Sequence, residues 1–195
     1  MPTQLRALLD APGFFWGLLA IPGAFMTYRY WHGTTFYGEY LHATGELGAR
    51  LLIVALAVTP LRLLLPNAAW VGWLARRRRY IGVAAFGYSS LHAFAYVARK
   101  ATLADVVAEA AELAIATGWA ALLVMLLLAA TSNDTSVRLL QRRWKWLHRA
   151  AYAAAALAFA HWILAAFDPI SGAIHLGVLA SLEAIRLWKA RTSST

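Results

Sequence analysis

The sequence contains no cysteine, which excludes disulfides, thiolate-ligated haem and cysteine-held iron–sulfur clusters. Acidic residues are scarce, nine against eighteen Lys and Arg. The acids fall in polar stretches or near the ends of apolar runs, except Glu183. Its expected partner is Arg186, three residues on. No pair of carboxylates therefore lies inside an apolar run, as a proton pump built on such groups would need. The chain also lacks a glycine-rich nucleotide or phosphate loop and an H-E-x-x-H metal motif. No internal repeat, low-complexity tract or interdomain linker is found, so residues 1–195 read as a single domain.

Long apolar runs are what the chain does have. It is 61% hydrophobic with mean hydropathy +0.56, against roughly 45–50% apolar residues in ordinary soluble domains. Such runs predict an all-α polytopic membrane protein. Six transmembrane helices are expected, at about 13–31, 47–65, 80–98, 113–130, 146–167 and 170–188, with a functional core from the central four. The first is read as an uncleaved helix, since no small-x-small cleavage site follows it. Residues 99–112 are read as a short amphipathic surface helix. The net charge of +9 sits in blocks between apolar runs: Arg76–Arg79, Arg138–Lys145 and Arg186–Arg191. With Arg6, these blocks place one side, and both termini, in the cytoplasm. That distribution argues against a nucleic-acid surface. Tryptophans near the expected span ends (Trp31, Trp70, Trp73, Trp144, Trp146, Trp188) fit an interfacial belt.

Ionisable side chains inside a membrane span are costly and mark function. His92 lies about twelve residues into a span that starts inside, and His161 about fifteen into another. At about 1.5 Å per residue both reach roughly 20 Å from the inner edge. Two imidazoles at one depth can serve as axial ligands of a six-coordinate b-type haem, or each can simply hydrogen-bond across the bundle. Their second ring nitrogens would need a carbonyl or hydroxyl, for which Ser89, Ser90 and Tyr88 are near in sequence.

His148 is expected on the same helix as His161, close to the inner surface. Thirteen residues at about 100° each put it roughly 140° around the helix from His161. A second haem there would need a partner thirteen residues before His92, where Arg79 stands. His148 therefore reads as a metal ligand or as an interfacial residue. His42, with Arg50 two turns later, could line a haem propionate, flavin or quinone site, or be interfacial. His32 and His175 receive no role.

Several stretches together resemble a known family: His42-x-Thr44-Gly45, Thr59-Pro60-Leu61-Arg62, and Arg78-Arg79-x-x-Gly82 followed by Tyr88-x-x-Leu91-His92. Thr131-Ser132, Trp144-x-x-Leu147-His148-x-x-x-Tyr152 and His161 complete the set. From about residue 10 to 190 the chain resembles the haem-binding membrane subunits of periplasmic methionine sulfoxide reductase systems (MsrQ), within the ferric-reductase-like transmembrane superfamily. The resemblance implies a bacterial inner-membrane protein binding a b-type haem, with His92, His148 and His161 as haem-associated residues; Arg50, His42 and Arg79 are read beside them as further candidate cofactor-binding residues. It implies electrons drawn from the quinol pool or a flavoprotein. They would be delivered to a soluble molybdopterin-containing methionine sulfoxide reductase that repairs periplasmic proteins. FMN, reported in some members, has no place assigned to it. The resemblance makes the chain an electron-transfer subunit rather than the seat of substrate catalysis. A ferric or oxygen reductase fed by a separate flavoprotein, a small permease with a histidine relay, and a cofactor-free scaffold are the alternatives.

Overall fold

In the computed structural model, residues 11–165 and 168–192 are described, and these are helical almost throughout with no strand among them. In chain order the helices are α1 (Pro12–Trp31), α2 (Tyr37–Leu64), α3 (Ala69–Ala98), α4 (Leu103–Glu109) and α5 (Leu113–Ala130). Then follow α6 (Asp134–Leu140), α7 (Arg142–Leu147), α8 (Ala150–Ala165) and α9 (Pro169–Thr192). Arg6, and the end of the fifth expected span at 166–167, lie outside the described residues.

Local chemistry sets the boundaries. Pro12 opens α1 at its first turn, where a missing N–H costs nothing. Gly33, at φ +69°, reverses the chain after that helix, a conformation open to a residue without Cβ. Thr102 and Asp105 cap α4 reciprocally. The Asn133 side chain accepts from the Ser136 amide at 2.8 Å and starts α6.

Two helix pairs make the core. α2 packs along α3, α5 packs along α8, and α3–α5 and α2–α8 contacts join the pairs. α9 closes against α2 and α8, and α1 leans on α2 and α3. Alanine dominates the contact surfaces: Ala49, Ala55, Ala84, Ala85, Ala154 and Ala155 are all buried. Small side chains let backbones approach, which is how helices associate where lipid removes the hydrophobic drive between them. Leu52, Leu56, Met125 and Phe159 fill the centre. The outer faces carry large apolar side chains, among them Phe25, Phe94, Leu123 and Ile174. That is the surface a bilayer requires.

Among the described residues, four helices are long and apolar enough to cross a membrane: α2, α3, α5 and the Pro169–Lys189 part of α9. Several expected boundaries shift. The stretch expected as a loop between His32 and Glu46 is largely the first turns of α2, so His42 and Glu46 are helical. The Arg76–Arg79 block is not a loop but part of α3. Arginine is a good helix former, and Arg77, Arg78 and Arg79 each have a neighbour to lie against. Arg77 is only 5% exposed, with its guanidinium 4.2 Å from the Trp73 ring centre and 5.7 Å from that of Phe15. Arg78 donates to Thr59 Oγ1 at 3.2 Å. Arg79 pairs with Asp134 at 2.5 Å and holds that carboxyl below the usual carboxylate range.

The helix expected over 146–167 is broken. α7 ends at Leu147 and α8 begins at Ala150. Between them, Ala151 and Tyr152 amides bond to the His148 and Arg149 carbonyls, three residues back rather than four. His148 and His161 thus sit on different elements.

Tyr88 ties α1 to the core. Its hydroxyl accepts from the Gly23 amide and donates to the Leu19 carbonyl, both at 2.7 Å. A phenol is thereby inserted into the α1 hydrogen-bond ladder beside Pro22, the kind of insertion that lets a helix bend. Gly23 is needed there because a Cβ would stand 3.0 Å from the Tyr88 ring. Tyr88→Phe is expected to destabilise the fold by about 1–2 kcal/mol, the usual effect of stranding buried backbone groups. A lower melting temperature in detergent, with faster exchange of the Gly23 amide, would show it.

Candidate functional site

The two helix pairs enclose a cavity of about 680 Å³, within the roughly 300–1,000 Å³ range of small-molecule and cofactor sites. Its walls are apolar, with Leu52, Trp119, Leu122 and Met125 among them. At one end it meets a polar rim of His42, Glu46, Asp168 and Ser171. His92 from α3 and His161 from α8 both reach into it. Their ring centres are 5.9 Å apart and their planes stand at 83°.

Each ring is fixed by the helix beside its own. His92 Nδ1 lies 2.8 Å from the Leu41 carbonyl of α2, and His161 Nδ1 lies 2.7 Å from the Ala114 carbonyl of α5. A carbonyl can only accept, so each Nδ1 carries the proton and each Nε2 keeps a free lone pair. That is the tautomer of a metal ligand, oriented by the kind of partner such ligands use. The expected hydroxyl partners are corrected here. Tyr88 serves α1, Ser90 bonds the Phe86 carbonyl at 2.9 Å, and Ser89 faces Met125 Sδ at 3.8 Å. Backbone carbonyls win because α2 and α5 pass close beside the imidazoles.

Glycine makes that approach possible. A Cβ on Gly45 would stand 2.8 Å from His92 Nδ1, and one on Gly118 would stand 2.8 Å from His161 Nδ1. Each glycine lies four residues after the carbonyl its histidine uses, one helical turn along the same face. The preceding threonines bond to the same carbonyls. Thr44 Oγ1 is 3.1 Å from Leu41 O, and Thr117 Oγ1 is 2.8 Å from Ala114 O. Sequence reasoning overlooked this arrangement. The available signal was the tripeptide Ala-Thr-Gly, at 43–45 and again at 116–118.

The remaining residues of interest form two separate groups. At the rim, Arg50 donates to Glu46 Oε1 at 2.7 Å and to His175 Nε2 at 3.3 Å, and His42 is 3.8 Å from Glu46. His175, given no role from sequence, rests against Trp162 with ring centres 5.1 Å apart. In the other group His148 stacks on Trp144 at 3.9 Å, with its Nε2 3.2 Å from Thr131 Oγ1. The structure does not bring His148 or Arg79 to the cavity holding His92 and His161. Glu183 pairs with Arg186 at 2.8 Å, as their spacing predicts, and Arg186 also donates to the Tyr152 hydroxyl.

The family model described as "Ferric reductase like transmembrane component" matches residues 44–160, a stretch spanning most of α2 through α8. A relative from Ralstonia nicotianae, named protein-methionine-sulfoxide reductase heme-binding subunit MsrQ, is 36% identical over 96% of this chain and 88% of its own length. The chain belongs to the MsrQ family of ferric-reductase-like transmembrane proteins. An MsrQ from Rhodospirillum rubrum is 37% identical over 88% of this chain and 87% of its own. One from Xanthomonas axonopodis pv. citri is 36% identical over 77% and 69% respectively. No solved structure matches the chain.

The site can be tested for haem without those names. Two imidazoles bound to opposite sides of one metal, each nitrogen about 2 Å from it, have ring centres roughly 6 Å apart. The observed 5.9 Å, the free Nε2 lone pairs and the apolar walls fit a bis-histidine haem. A cavity with no cysteine and no cluster of three metal-binding side chains among the described residues offers nothing comparable to a bare metal ion.

Proposed function

We propose that this chain is the haem-bearing membrane subunit of a methionine sulfoxide reductase system, carrying electrons outward across the bacterial inner membrane. The pairing of His92 and His161 across the cavity carries the reading, and the names of the MsrQ relatives support it. In this reading α1 and α8 cross the membrane with α2, α3, α5 and α9, giving six spans with both termini in the cytoplasm. His92 and His161 hold one b-type haem, which supplies one-electron redox chemistry at the centre of the bundle.

The chain's own contribution is to orient and insulate. The Leu41 and Ala114 carbonyls fix the ligand tautomers, while Leu52, Trp119 and Met125 exclude water from the cavity. His42, at the rim, and Arg50, held beside it by Glu46, would meet the haem carboxylates. Arg50 is the stronger partner because a guanidinium can grip a carboxylate through two hydrogen bonds. His148 and Arg79 lie on the basic, cytoplasmic side and form a second cofactor contact there, next to the quinol pool or a flavoprotein donor. The acceptor is a separate molybdopterin-containing reductase in the periplasm, a reading supported by the relatives' naming as subunits of a methionine sulfoxide reductase.

The match to the ferric-reductase-like model favours a second reading, a ferric or oxygen reductase fed by a separate flavoprotein. The test is an absorption spectrum of the purified protein, oxidised and then reduced with dithionite. A Soret band with α and β bands that sharpen on reduction is expected. A colourless protein refutes the haem reading and leaves the histidine-relay permease. Reduction of the haem in membranes by quinol, and not by a flavin reductase, separates the two donors.

A further inference from the structure

We propose that the two Ala-Thr-Gly tripeptides, Ala43–Gly45 on α2 and Ala116–Gly118 on α5, are a duplicated clasp that positions the axial imidazoles. It sets their mutual angle and the basicity of their Nδ1–H groups. The inference rests on the haem reading above, but concerns residues that bind no iron.

The two copies match contact for contact. In each, a histidine from the adjacent helix donates Nδ1–H to the carbonyl four residues before the glycine, at 2.8 and 2.7 Å. In each, the threonine hydroxyl reaches that carbonyl as well as the one before it: Tyr40 O and Leu41 O for Thr44, Leu113 O and Ala114 O for Thr117. In each, the glycine leaves the imidazole a gap that a single methyl would close, to 2.8 Å from Nδ1. Thr44 is fully buried, so its hydroxyl is not there for solvent.

Two physical consequences follow. First, the ring lies wedged between a carbonyl and a bare Cα, so it cannot rotate about its Cβ–Cγ bond without losing the hydrogen bond or striking the helix. The 83° between the planes is thus built into the α2–α3 and α5–α8 packing. Perpendicular axial imidazoles give ferric low-spin haem an unusually anisotropic electron paramagnetic resonance spectrum, and rotation towards parallel planes reduces that anisotropy. Second, each carbonyl is shared between the imidazole and a hydroxyl. A shared acceptor draws less strongly on Nδ1–H, which keeps the ligand from gaining imidazolate character. Removing the hydroxyl makes the carbonyl a better acceptor, strengthens the ligand as an electron donor and favours the ferric state.

The test uses the full-length protein purified with its haem. Gly45→Ala and Gly118→Ala both replace a helical glycine by a better helix former, worth about 1 kcal/mol in favour of the helix. Loss of the site in these variants therefore comes from the imidazole rather than from the backbone. Each is expected to shift or abolish the anisotropic low-spin signal, whereas Gly87→Ala, with nothing within 4 Å of its Cβ position, keeps it. Thr44→Val and Thr117→Val are expected to move the midpoint potential to more negative values, and Thr44→Ser and Thr117→Ser to restore it. Glycine variants with the wild-type resonance spectrum, or valine variants with the wild-type potential, overturn the clasp while leaving the haem assignment standing. A wild-type protein with no Soret band overturns both.

Discussion

His92→Ala and His161→Ala are each expected to remove the low-spin haem spectrum, with at least a tenfold loss of the reduced α-band per protein. The two rings come from different helix pairs and meet at 5.9 Å, so neither has a substitute within the cavity. The other histidine and carboxylate side chains lining it, His42, Glu46 and Asp168, lie at the rim. Each remaining imidazole would keep its carbonyl partner, so the single variants should fold and yet fail to hold a six-coordinate haem. His175→Ala is the control, because His175 bonds Arg50 and the Ser171 carbonyl instead. His148→Ala should likewise leave this spectrum in place, since that ring is stacked on Trp144 away from the cavity. Absorption spectra of the four purified variants, normalised to protein, decide the matter. A His92→Ala protein with a full low-spin spectrum would rule out the axial pair.

Phe159→Ala should produce the largest loss of stability. Phe159 is 1% exposed in the centre of the core, in a helix face otherwise made of Ala154 and Ala155. Its ring stacks against Trp162, centres 6.2 Å apart at 13°. In a soluble core Phe→Ala costs about 3–5 kcal/mol, combining lost transfer energy with a cavity. Lipid weakens the transfer part and leaves the lost packing contacts, so about 3 kcal/mol is expected. For a chain of this length that lowers the melting temperature by roughly 6–12 °C. Because Trp162 adjoins His161, haem retention should fall together with stability. A melting temperature within a degree or two of wild type would show that the α8 face is not packed as described.

Much of the architecture was legible from the residues. Apolar run length marked α2, α3, α5 and α9, because a helix that faces lipid must be apolar nearly all round. The mixed stretch after Lys100 was readable as the short α4. There Lys100 and the Tyr96 hydroxyl now hold the Glu109 carboxyl below its usual range. Helix ends were less readable. Charge suggested a loop at Arg76–Arg79, yet the block is helical, with Arg77 stacked on aromatic rings and Arg78 and Arg79 bonded to neighbouring helices. The break at His148 left no proline or glycine to announce it. The depth match of His92 and His161 could be counted along the chain. Their partners could not, since Leu41 and Ala114 contribute only backbone carbonyls and any residue has one.

The sequence by itself determined that this is a helical membrane protein with histidines at matched depth in the third and fifth apolar runs. Those properties follow from hydrophobicity and a fixed rise per residue, which need no knowledge of neighbours. Only the tertiary structure decided that the two imidazoles meet, that His148 stands apart, and that a threonine–glycine turn on each adjacent helix holds a ring in place. Those facts depend on which helix faces are brought together, and contacts between segments some fifty residues apart leave little trace in either segment alone.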